Sequence, residues 1–147
     1  MFAKETFFAT KVIKFFREIY AKIVFDLRKD GIVMPNIFRY GKNSLVVNLE
    51  GEIDQYAAAE LKEAIDLEIE SSPKKNLIFN LANVSLMDSS GIGLIVGRYK
   101  IVTCLGGKMA LCGATDNVEK MIKLSGIEKV LKLYKNTAEA EKSLAVK

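Results

Sequence analysis

The sequence predicts an α/β domain with a mixed, mostly parallel central sheet of about five strands and about four helices, preceded by an amphipathic helical extension. Three observations predict it. From Asn36 onward, short β-rich runs alternate with longer stretches of helical periodicity, and strands separated by helices pair in parallel. Turn residues stand at the junctions: Gly41-Lys42-Asn43, Ser72-Pro73, Gly106-Gly107 and Gly126. With 147 residues, 50% of them hydrophobic and 27% charged, the chain has the composition of one globular domain able to bury its own core.

Residues 1–33 form the extension and residues 36–145 the domain. Within residues 2–27, Phe8, Val12, Phe15, Ile19 and Ile23 recur at three- and four-residue steps, the stripe of an amphipathic helix. Lys4, Lys11, Lys14, Arg17 and Lys22 interrupt its apolar runs, so it is no membrane span. It also lacks the apolar stretch and small-residue cleavage site of a secretory signal. An interfacial membrane helix, a helix docked on a protein surface, and an extension upstream of a true start at Met34 are the three readings. The last is motivated by Arg28-Lys29-Asp30-Gly31, whose codons can be purine-rich like a ribosome-binding site. Membrane contact arises only if this helix is translated.

The domain opens with "NIFRYG" and "SLVVNLEG", two β-rich runs joined by a hairpin signal. Asp54 caps a helix running to about Glu70, with Leu61, Ala64, Ile65 and Ile69 as its buried stripe. "NLIFNL" (76–81) is a short apolar run of the buried-strand type. A helix apolar on most sides follows to about Leu105, then the strand "KMALCG" (108–113). Asp116 and Glu119 have capping-box spacing for a helix closed by Gly126. "KVLKLY" (129–134) is the last strand, and Asn136 or Thr137 starts a final helix.

Charge and residue inventory narrow the function classes. The net charge is +4, but residues 1–33 hold seven basic and four acidic residues, whereas the remainder holds fifteen and fourteen. A nearly neutral domain gives no electrostatic support to direct nucleic-acid binding. The chain has no histidine and only two cysteines, Cys104 and Cys112. That removes His-based triads and His-containing metal sites, and leaves too few thiolates for an all-cysteine zinc site. No metal or cofactor is expected, and the two apolar-flanked cysteines fit a reduced cytoplasmic protein.

The stretch "SLMDSSGIGLIVGRYK" (85–100) places an acid, two hydroxyls and three glycines where an apolar segment becomes a helix. Gly91, Gly93 and Gly97 approach a dinucleotide fingerprint, but the strand order around them is wrong for it. A nucleophile elbow needs G-x-S-x-G and a histidine, and neither is present. A regulated serine is the third reading, since the N-terminal N–H groups and dipole of a helix favour an added anion at Ser89 or Ser90. Plain helix capping competes with it, and this stretch alone does not separate cap from switch.

"MDSSGIGLIVGRYK" resembles the signature of the STAS-domain anti-anti-sigma factors. The likeness continues through "NLEGEIDQYAAAELKEAI", "NLIFNLANVSLMDSSG", "GGKMALCGA" and "IKLSGIEKVLKLY", in order over about residues 36–145. "GRYK" and the "GG…C" strand favour the sporulation type of spore-forming bacteria. The resemblance implies a single STAS domain that is a binding partner and not an enzyme. Such proteins bind an anti-sigma factor that is also a serine kinase and so release a sigma factor. The kinase, carrying its own ATP and Mg²⁺, phosphorylates the first serine of Asp-Ser-Ser-Gly, here Ser89, and a PP2C-type phosphatase restores the active form. Asp88, Ser90 and Gly91 belong to the same motif, with Ser90 read as a cap. Glu52 and Asp54 match the acidic turn brought near the phosphosite. Arg98 and Tyr99 are carried on the same helix as the phosphosite, Arg98 as a further partner-binding residue, with packing or solvent exposure as the competing readings. The alternatives are a STAS module of another partner-switching or general-stress system, and a nucleotide-binding α/β domain using Gly91–Gly97. Residues 1–33 have no counterpart in the family.

Overall fold

A computed structural model describes residues 37–145 together with Lys11, Val12, Lys14, Phe15 and Ile19. Those five are helical; the rest of the expected 2–27 helix, and the proposed start at Met34, lie outside the described residues. The chain divides into two units, Met1–Asn36 and Ile37–Lys147. The second holds β1 (Phe38–Tyr40), β2 (Ser44–Ile53), α1 (Gln55–Ser71), β3 (Asn76–Met87), α2 (Ser89–Cys104), β4 (Met109–Cys112), α3 (Asp116–Ser125), a 3₁₀ turn (Ile127–Lys129), β5 (Leu133–Tyr134) and α4 (Thr137–Ala145). Among the described residues, no helix is long and apolar enough to cross a membrane.

The five strands form one sheet in the order β1-β2-β3-β4-β5. β1 and β2 are an antiparallel hairpin, closed by the Gly41 N–H donating to Ser44 O at 2.8 Å. The other pairings are parallel, each connected through a helix. α1, α2 and α3 lie on one face, where Ile65, Ile95 and Ile122 pack against Leu45, Val47, Phe79 and Leu111. α4 covers the other, its Ala140 packed with Val46, Ile78, Ala110 and Cys112. Cover on both faces is why β2 and β3 read as continuous apolar runs and not as alternating ones.

Three boundaries differ from those the sequence predicts. β3 continues through "ANVSLM" to Met87, because β2 accompanies it with register shifts between Asn48 and Glu50 and between Gly51 and Glu52. Gly51 takes a left-handed φ of 74° at the second shift, so "GEID" is a bulged strand end and not a turn. The last strand is only Leu133–Tyr134, since the left-handed Gly126 cap (φ 76°) leads into a 3₁₀ turn that buries Ile127. α3 begins at Asp116 with Thr115 as its N-cap, so the expected capping box is displaced by one residue and no side chain closes it.

α4 is tied to the hairpin by one side chain. The Asn43 N–H donates to Glu141 Oε2 at 3.1 Å, and the fully buried Ser44 hydroxyl donates to Glu141 Oε1. A Cβ at Gly41 would collide with the same carboxylate. Glu141 therefore satisfies two donors that α4 would otherwise cover without a partner.

Candidate functional site

The site lies at the C-terminal ends of the parallel strands, where open α/β sheets place their functional groups. Ile53 and Met87 are the last register partners of β2 and β3, and the Asp88 N–H donates to Ile53 O at 3.3 Å. The next residue of each strand, Asp54 or Asp88, is extended and is the N-cap of the following helix. Asp54 Oδ1 accepts from the Ala57 N–H at 2.9 Å. Asp88 Oδ1 accepts from the Ser90 N–H at 2.8 Å and the Gly91 N–H at 3.4 Å. Two helix N-termini, each with its own carboxylate, thus stand side by side.

Ser89 is the first residue of α2 and is exposed. Among the described residues, none takes a hydrogen bond from its hydroxyl. Ser90 is half-buried, and its own N–H is capped by Asp88. The capping role expected of Ser90 therefore belongs to Asp88, whose carboxylate reaches forward over the first turn. Glu52 is exposed and pairs in register with Leu86 across β2 and β3.

Gly91 is buried, and a Cβ there would strike the Met87 side chain and come within 3.2 Å of Ile53 Cγ2. This glycine lets the start of α2 sit directly on the strand ends. A Cβ at Gly93 or Gly97 would meet nothing within 4 Å. Close packing thus requires one glycine of the three, not all.

Arg98 is not on this rim. It is 5% exposed, and its Nε lies 2.8 Å from Asp66 Oδ1 of α1, a charge contact without hydrogen-bond alignment. It follows Ser89 by nine residues, which turns it about 180° around the helix. Arg98 thus shares the buried stripe with Ile95 and Val102, so its partner-facing expectation is corrected to a link between α1 and α2. Burial raises the Asp66 pKa above its ordinary value of 3.8 by more than Arg98 and Lys62 lower it. The signal was in the sequence: Ile95, Arg98 and Val102 have i, i+3, i+7 spacing within an apolar helix.

Sequence reasoning also passed over Tyr56 and Leu86, which flank the two caps with large exposed apolar surfaces. Among the described residues, no cluster of three or more His, Cys, Asp or Glu is placed to hold a metal ion. The arrangement offers an accessible hydroxyl at a helix start, beside a carboxylate-lined rim.

The fold and this platform define a STAS module. A STAS-domain family model matches residues 35–140, and the chain belongs to that family. The chain is 34% identical over 102 residues to the anti-sigma F factor antagonist of Paenibacillus polymyxa, a match covering 69% of this chain and 87% of that protein. Among solved structures it resembles the anti-sigma factor antagonist SpoIIAA in its unphosphorylated form, with 26% identity, a TM-score of 0.64, and coverage of 74% of this chain and 96% of the other. It also resembles the Bacillus cell fate determinant SpoIIAA in its phosphorylated form, with 26% identity, a TM-score of 0.57, and coverage of 72% and 97%. These relatives are named for a regulatory role and not for a catalysed reaction.

Proposed function

We propose that this chain is a cytoplasmic anti-sigma factor antagonist whose residues 36–145 are the working module and whose residues 1–33 are an extension. Unphosphorylated, it binds an anti-sigma factor that is also a serine kinase, and so frees a sigma factor for sporulation transcription. The kinase transfers the γ-phosphoryl group of ATP to the Ser89 hydroxyl, and a PP2C-type phosphatase hydrolyses the ester. The observation that carries this reading is the exposed, unengaged Ser89 hydroxyl at the start of α2, next to Asp88 and beside the Asp54 cap.

The electrostatics support a binding switch that needs no rearrangement. A phosphate on Ser89 adds about −1.5 to −2 charges. The helix terminus tolerates that anion, because the positive end of the α2 macrodipole lies there. A partner surface packed against a neutral serine does not, since it would have to desolvate a dianion beside Asp88.

The test is incubation with the anti-sigma factor of the same organism and ATP, with the phosphate located by mass spectrometry. Phosphate on Ser89 alone is expected, and phosphate elsewhere with Ser89 unmodified refutes the assignment. Ser89→Asp abolishes binding, whereas Ser89→Ala binds without being switched off. Equal binding by the two variants contradicts the electrostatic mechanism.

A further inference from the structure

We propose that Tyr56 and Leu86 are the two apolar anchors by which this rim grips the anti-sigma factor, an inference that rests on the function just proposed. Tyr56 is 81% exposed and Leu86 53%. Each stands two residues from a cap: Tyr56 follows Asp54 in the first turn of α1, and Leu86 precedes Asp88 at the end of β3. Because Asp54 and Asp88 follow the last register pair of β2 and β3, both residues stand at the same end of the sheet as Ser89, the first residue of α2.

Single exposed apolar residues are normal on a protein surface and carry no meaning by themselves. Here their chemical setting does. Residues 48–60 and 82–97 contain Glu50, Glu52, Asp54, Glu60 and Asp88, but no lysine or arginine, within a chain of net charge +4. All five carboxylates are exposed. Leu86 is the register partner of one of them, Glu52.

The partner that fits has apolar recesses within a cationic surface. The carboxylates steer such a face toward the rim, and the two side chains are then buried at its centre. Large side chains held by rigid elements near an interface centre are where truncation costs most affinity. The fold does not use them: Ile53 and Met87 fill the core below, and Tyr56 and Leu86 point to solvent.

The experiment compares full-length wild type, Tyr56→Ala, Leu86→Ser and Leu124→Ala for affinity to the anti-sigma factor of the same organism by calorimetry. Leu124, 85% exposed near the end of α3, serves as an apolar control away from the rim. Tyr56→Ala and Leu86→Ser should each weaken binding about tenfold or more, while Leu124→Ala leaves it unchanged. Thermal melting of all four should agree, because the truncated side chains are exposed. Wild-type binding that neither rim variant weakens by more than about twofold overturns the anchors and leaves the proposed function standing. A wild type that does not bind the anti-sigma factor overturns both.

Discussion

Replacing the two members of the Asp66–Arg98 pair one at a time should give unequal results. The Arg98 side chain is 6% exposed and the Asp66 side chain 28%. Asp66→Leu strands a guanidinium that cannot lose its proton and has little access to water. Breaking a fully buried pair costs about 3–5 kcal/mol, and partial exposure on the Asp66 side reduces this to about 2–4 kcal/mol. Arg98→Met instead leaves a carboxylate that water reaches and that can take up a proton, so its cost should be about 1 kcal/mol. The double variant Asp66→Leu/Arg98→Met should match wild type or exceed it, because burial already outweighs attraction at Asp66, whose pKa is raised. The pH dependence has a definite sign. The raised pKa means that the folded state holds this proton more tightly than the unfolded state. Its stabilising contribution is full below the ordinary value of 3.8 and is lost as pH rises through the folded value. Wild type should therefore gain on the double variant as pH falls toward 4, which can be followed by urea unfolding across pH. Equal costs for the two single variants, or a double variant as unstable as the sum of the singles, would refute the reasoning.

Three further outcomes follow from packing. Glu141→Ala leaves the fully buried Ser44 hydroxyl without its acceptor and frees α4 from the hairpin, lowering stability by about 1–3 kcal/mol in chemical denaturation. Gly91→Ala forces Met87 aside at the start of α2 and should lower stability by about 1–3 kcal/mol, whereas Gly93→Ala, with open space around it, should be neutral or stabilising in the same melting assay. Burial pushes the Cys112 thiol up to about 11, while Cys104 is exposed, so maleimide at neutral pH should modify Cys104 alone until urea is added.

The alternation of strands and helices was legible because each element carries its own periodicity and its own stop signal. What escaped were features that depend on two segments at once. The end of β3 was missed because the bulged pairing with β2 breaks two-residue alternation: its buried residues there, Leu81, Val84 and Met87, fall three apart. The last strand was overestimated because "KVLKLY" is β-rich, yet only Leu133 and Tyr134 find β4 beside them. At the site, Ser89 and its two neighbouring carboxylates were visible as a motif, but their adjacency needs the Ile53–Met87 register. Arg98 was read as partner-facing from the likeness of its helix to the family, and only its position opposite Ser89 reveals Asp66. Glu141 lies 97 residues from Ser44, beyond any local pattern.

The seat of Gly91 on Ile53 and Met87 means that a single layer of side chains separates the outer rim from the hydrophobic interior. Rim geometry and core volume are consequently not independent variables in this protein. A larger residue at position 53 or 87 lifts the α2 terminus and shifts Ser89 relative to Asp54 without altering any exposed atom type. Under the proposed function, a genetic screen for defective switching should return such interior positions alongside the rim.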